Sequence, residues 1–218
     1  MNEKTWVLVW DLPVRIFHWL LVSLFAASWI TATLGGVALK YHFWSGYSIL
    51  VLVLFRIGWG FVGGIYARFG TFLHGPRQVL AALRELASRR PTQSVGHNPL
   101  GGWMVFFLLL ELLTQALTGL CANDDIFNEG PWAGHLTKAV SDRLTGLHHV
   151  NFKVLLGLVM VHMAAIAYHR FVKGENLVVP MLTGYKWVSA SVPRRINLWR
   201  GAMVFFGAAV FVVLIVNC

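Results

Sequence analysis

The chain has 218 residues, of which 57% are hydrophobic and only 12% charged, with a mean hydropathy of +0.63. A soluble domain of this length carries about twice that share of charge, which excludes a water-soluble enzyme and predicts an integral membrane protein with several spans. The formal charge of +9 does not point to nucleic acid, because the basic residues flank apolar runs instead of forming a patch on a polar domain.

In chain order, the first 14 residues are of mixed polarity, with Glu3, Lys4 and Asp11, and show no signal-peptide pattern. The first apolar run, residues 14–34, is long enough to span a bilayer and ends at Gly35-Gly36. A second span is predicted over residues 42–65. A basic stretch follows, residues 66–99. Within it Val79, Leu80, Leu83 and Leu86 share one face of residues 78–89, as in a helix lying on the membrane surface. A third span covers residues 100–121. A loop rich in Asn, Asp, Gly and Pro, residues 122–146, carries Asp124, Asp125 and Glu129. The fourth span is residues 147–171. After another basic loop, residues 201–216 form a shorter, fifth apolar run. The expected fold is one all-α integral membrane domain, a four-helix transmembrane bundle plus a C-terminal span. Ten Trp and 15 Phe suit bilayer interfaces and flat cofactors. The two cysteines, Cys121 and Cys218, are read as unpaired thiols. No Cys-x-x-Cys-His occurs for covalent haem, and iron–sulfur ligation needs more thiolates.

Basic residues set the orientation. With five spans, one side carries thirteen: Lys4, Arg15, Arg68, Arg77, Arg84, Arg89, Arg90, Arg170, Lys173, Lys186, Arg194, Arg195 and Arg200. The other side carries Lys40, Lys138 and Arg143. The N-terminus is therefore expected in the cytoplasm, with the acidic loop on the opposite face.

His148 and His162 lie fourteen residues apart in the fourth span. At about 100° per residue that is close to four turns, so the two imidazoles share a face about 21 Å apart along the axis. Orientation places His18 and His162 towards the inner side, and His42 and His148 towards the outer side. Imidazole at membrane depth is costly and marks function. Two pairs at two depths predict two non-covalent b-type haems, each held by two histidines, with no open position on the iron. His149 competes with His148; it points about 100° away and is a poorer match to the face of His162.

Motifs around these histidines form an ordered likeness to a known family. The likeness begins at Leu12-Pro13-Val14-Arg15-Ile16-Phe17-His18-Trp19 and continues through Tyr41-His42-Phe43-Trp44-Ser45-Gly46-Tyr47. Phe55-Arg56-Ile57-Gly58-Trp59-Gly60-Phe61-Val62-Gly63, Tyr66-Ala67-Arg68-Phe69 and Gly96-His97-Asn98-Pro99-Leu100-Gly101 follow. The His148/His162 pair, Glu175-Asn176-Leu177 and Met181-Leu182-Thr183-Gly184 complete it. The ordered set covers residues 6–185 and resembles the bacterial cytochrome b561 family, which includes the cytochrome b subunit of membrane nickel–iron hydrogenases. It implies a helical bundle with two b haems, and its ligand positions fall on His18, His42, His148 and His162. His149 stands where relatives often have glutamate.

Other residues take supporting roles. Arg56, fourteen residues after His42, reaches the depth of the inner pair and needs an anion such as a haem propionate; Arg15 is a second candidate. Gly46 and Gly60 would let a porphyrin approach the backbone, and glycines also serve helix contacts. Glu111 and Lys153 are expected to pair if the third and fourth spans touch. His169 could meet a propionate or a quinone. The function expected is electron transfer through two haems between a periplasmic partner, such as a c-type cytochrome or other redox subunit, and the quinone pool of a bacterial inner membrane. The alternative is a stand-alone quinone oxidoreductase acting on a small substrate such as superoxide. A histidine relay for metal or protons is a third reading, and predicts no visible chromophore.

Overall fold

A computed structural model describes residues 5–86, 94–126, 128–188 and 197–217. Five helices are long and apolar enough to cross a membrane. They are α1 (Leu12–Leu34), α2 (Leu39–Val62), α5 (Pro99–Leu120), α6 (Lys138–Phe171) and α8 (Leu198–Val216). The shorter helices are α3 (Phe69–Phe72), α4 (Pro76–Leu86) and α7 (Val178–Thr183). Two short strands, β1 (Thr5–Leu8) and β2 (Tyr185–Val188), pair antiparallel, with Trp6 opposite Trp187. The protein is a helical membrane bundle, and α2 is its centre: it packs against α1, α5 and α8, while α6 packs against α5. Phe25 and Trp29 of α1 reach Phe152 of α6 at ring separations of 6.2 and 5.8 Å.

The end of the bundle nearest the sheet is built around one carboxylate. Asp11 caps α1 by accepting from the Val14 amide at 2.9 Å, with Pro13 in the first turn, where a missing N–H costs nothing. The same carboxylate accepts from the Trp59 indole at 3.1 Å and from the Gly64 amide at 3.3 Å. Trp59 is fully buried. The start of α1 is thus tied to the end of α2. Asn98 caps α5 by accepting from the Gly101 amide at 2.7 Å, ahead of Pro99.

The structure departs from the sequence-based boundaries in several places. The fourth span starts at Lys138 instead of residue 147, so α6 has 34 residues and is about 51 Å long. Its first turns are polar and give no hydropathy signal. They are held by Ser141, which donates to the Cys121 carbonyl at 2.7 Å, and by Lys138, which pairs with Asp142 at 2.9 Å and with Asp125. The second helix ends at Val62, where Gly63 meets the Trp59 carbonyl too closely for any side chain. The amphipathic helix is α4, ending at Leu86, with Leu80 and Leu83 exposed. Tyr168 of α6 donates to the Leu86 carbonyl at 2.5 Å and pins it. Residues 87–89 of the expected surface helix lie outside the described residues, as do Lys4, Arg90, Arg194, Arg195 and Cys218. Cys121 is a free, buried thiol.

Candidate functional site

At the bundle end away from the sheet, His42 of α2 faces His148 of α6, with ring centroids 6.2 Å apart and planes at 87°. That spacing is of the order two imidazoles show when each sits about 2 Å from a shared metal. Both rings are half-buried and are fixed through Nδ1. His42 Nδ1 donates to the Ser28 carbonyl at 2.9 Å, with the Ser28 hydroxyl at 3.0 Å. His148 Nδ1 donates to the Gln115 carbonyl at 3.0 Å. A neutral imidazole protonated on Nδ1 keeps its lone pair on Nε2. His149 is exposed on the other side of α6. Gly46, one turn after His42, opens on free space, with no heavy atom within 4 Å of an added Cβ.

The second level lies at the sheet end. His18 of α1 is half-buried and packs edge-on against Trp19 at 5.0 Å. His162 of α6 lies within electrostatic reach of His18 and of His97. Among the described residues, four buried side-chain nitrogens have no hydrogen-bond partner: Arg15 Nε, His18 Nδ1, Arg56 Nη1 and His97 Nδ1. All four belong to this end of the bundle. Folded proteins leave few such groups, and each calls for an explanation. Arg56 is only 2% exposed, lies over the Phe69 and Phe72 rings at 5.5 and 5.7 Å, and among the described residues forms no ion pair, with the Asp11 carboxylate acting on it only at longer range. Arg15 uses one guanidinium nitrogen on the Leu182 carbonyl. His97 sits between Trp10 and Phe72 at 4.6 and 4.8 Å. Burial, with Arg56 and His162 adding positive charge nearby, pushes its imidazole down to about 3. The donor set at this level therefore suits a group that brings both a metal and anionic oxygens.

Other residues singled out in the sequence fall elsewhere. Gly60 is packed against Phe69, whose ring would lie 2.1 Å from an added Cβ. His169 is buried and bonds Glu175 at 3.1 Å, while Lys186 holds the other Glu175 oxygen at 2.7 Å. That ion-paired cluster links the end of α6 to β2. Glu111 and Lys153 do not pair: Lys153 is exposed, two residues on from buried Asn151 and so about 200° around α6 from it. Sequence reasoning missed Ser28, Gln115 and Asn151. Their signal is polarity inside an apolar span, and Asn151 is one turn from His148.

Five apolar helices with half-buried imidazoles between them define the class, an integral membrane helical bundle with histidines in its interior. Residues 9–184 match the family model described as prokaryotic cytochrome b561, and the chain belongs to that family of membrane b-type cytochromes. It is 27% identical over 214 residues to the "Probable Ni/Fe-hydrogenase B-type cytochrome subunit" of Rhizobium leguminosarum bv. viciae, covering 84% of this chain and 89% of that protein. The protein of the same name from Azotobacter chroococcum mcd 1 is 25% identical, over 85% of this chain and 90% of its own length. The "Probable Ni/Fe-hydrogenase 1 B-type cytochrome subunit" of Escherichia coli K12 is 29% identical over 135 residues, 51% of this chain and 57% of its own. No solved structure matches the chain.

Proposed function

We propose that the chain is a di-haem b-type cytochrome that carries electrons between a redox partner on the outer face of a bacterial inner membrane and the quinone pool, with a nickel–iron hydrogenase as that partner. The observation that carries this reading is the His42–His148 pair, 6.2 Å apart with both Nδ1 atoms tied to carbonyls, so that each ring keeps its lone pair on Nε2, where His148 accepts from the Gln115 amide at 3.0 Å. His42 and His148 would hold one haem and His18 and His162 the other. Haem supplies reversible one-electron transfer at iron. Arg15 and Arg56 would neutralise propionates at the inner level, which answers their orphaned nitrogens. Gly46 leaves room for a macrocycle beside α2; at Gly60 the same approach requires Phe69 to move. The N-terminus on the cytoplasmic side is supported by the basic bias of that end. The hydrogenase assignment is supported by the names of the relatives.

The test is hydrogen-dependent reduction of a quinone analogue by membranes of the source cell, with the chain present and deleted. The reading predicts loss on deletion, recovery with the wild-type chain and no recovery with His42→Ala or His18→Ala. Hydrogen-driven quinone reduction that survives deletion overturns the partner assignment.

A further inference from the structure

His148 rests in a seat made by α5, and the seat has a direction. Asn151, 95% buried, donates one amide hydrogen to the Glu111 carbonyl at 3.0 Å and another to Gln115 Oε1 at 2.9 Å. With its oxygen taken, the Gln115 amide turns its nitrogen to His148 Nε2 at 3.0 Å. An amide N–H can only donate, so Nε2 must carry the lone pair and Nδ1 the proton. The Nδ1 proton then meets the Gln115 carbonyl at 3.0 Å, with the Thr118 hydroxyl oxygen at 3.3 Å. Gly119 completes the seat: an added Cβ there would lie 3.0 Å from His148 Cε1. His149, exposed on another face of α6, has none of these contacts.

We propose that Gln115, oriented by Asn151, is the positioning residue that selects the Nδ1–H tautomer of His148 and thereby makes its Nε2 the outer metal-binding nitrogen. The role in metal binding rests on the di-haem reading above; the tautomer does not. When a metal takes the Nε2 lone pair, the hydrogen bond from the Gln115 amide breaks and no proton leaves the ring. The Nδ1–H bond to the Gln115 carbonyl stays and fixes the ring's rotation. Partners of this kind fix the tautomer and orientation of ligating histidines, and losing one costs typically 10–100-fold in metal affinity.

Two near-isosteric substitutions reverse the polarity of the relay. Gln115→Glu places an acceptor against Nε2 and draws a proton onto it. Asn151→Asp accepts from the Gln115 amide nitrogen, turns that amide over and presents its oxygen to Nε2. The first measurement uses the full-length chain freed of haem and labelled with 15N-histidine, the His148 signals being assigned by their loss in His148→Ala. Wild type should show the Nδ1–H tautomer, and both variants should shift His148 towards Nε2–H or the doubly protonated ring. The second is haem titration of the same proteins. Both variants should bind the outer haem about 10–100-fold more weakly, while the inner haem, which reports an intact fold, binds as in wild type. Gly119→Ala should weaken the outer site in the same direction by a smaller factor. A wild-type His148 protonated on Nε2 overturns the proposal, and so does an unshifted His148 signal in Gln115→Glu. If a wild-type chain with the expected tautomer binds fewer than two haems, the di-haem reading fails instead. A variant that also loses the inner haem has misfolded, and the Gly119→Ala titration with the wild-type tautomer then decides.

Discussion

Asp11 joins two helices through one carboxylate, and its removal should cost more than a helix cap. In Asp11→Ala the α1 cap disappears, which costs about 1 kcal/mol. The Trp59 indole N–H, fully buried, then loses its acceptor, which adds about 1–3 kcal/mol. The Gly64 amide at 3.3 Å loses a weaker bond. The sum is about 2–4 kcal/mol. For a chain of this length each kcal/mol moves the unfolding midpoint by about 2–4 °C, so a fall of about 4–16 °C is expected. Asp11→Asn keeps a good capping acceptor and should lose roughly half as much. The assay is thermal unfolding of the purified full-length chain in detergent, followed by tryptophan fluorescence. An Asp11→Ala midpoint within about 2 °C of wild type would show that this junction does not hold α1 to α2.

Three further outcomes follow from the geometry. Gly60→Ala should push the Phe69 ring away and cost about 1–3 kcal/mol by overpacking, with Phe69→Leu in the same chain restoring most of the loss in the same assay. Arg56→Leu should lose the inner haem while keeping the outer one, and Arg56→Lys should retain part of it, read by haem content per chain. His97 is neutral in the fold down to about pH 3, whereas the unfolded chain protonates it below about 6.5. Its contribution is therefore fully present above pH 6.5 and is lost as the pH falls towards 3, by up to about 1.4 kcal/mol per pH unit. His97→Phe should flatten the unfolding midpoint over that window; an unchanged slope contradicts the buried neutral state.

The spans were legible because hydropathy is a local property of the chain, and the four histidines stood out as candidates because the 3.6-residue period is local too. His148 and His162 share a face by their spacing alone, and Pro13 and Pro99 mark helix starts by a local rule. Less could be read where structure depends on distant partners. Strand β1 pairs with residues about 180 positions away, and four residues carry no strand signal of their own. The start of α6 is polar and takes its helical form from contacts with Cys121 and Asp125. The space that Gly60 leaves beside α2 is filled by Phe69 from a different element. Gln115 and Asn151 matter because two helices bring them to one imidazole, a meeting that no spacing rule within one helix encodes.

The most direct measurement is haem quantitation with a reduced-minus-oxidised spectrum on the purified wild-type chain and on His148→Ala and His149→Ala. Two b-type haems per wild-type chain are expected, falling to one in His148→Ala and staying at two in His149→Ala. A colourless wild-type chain, a single haem per chain, or a haem lost only in His149→Ala would contradict the account.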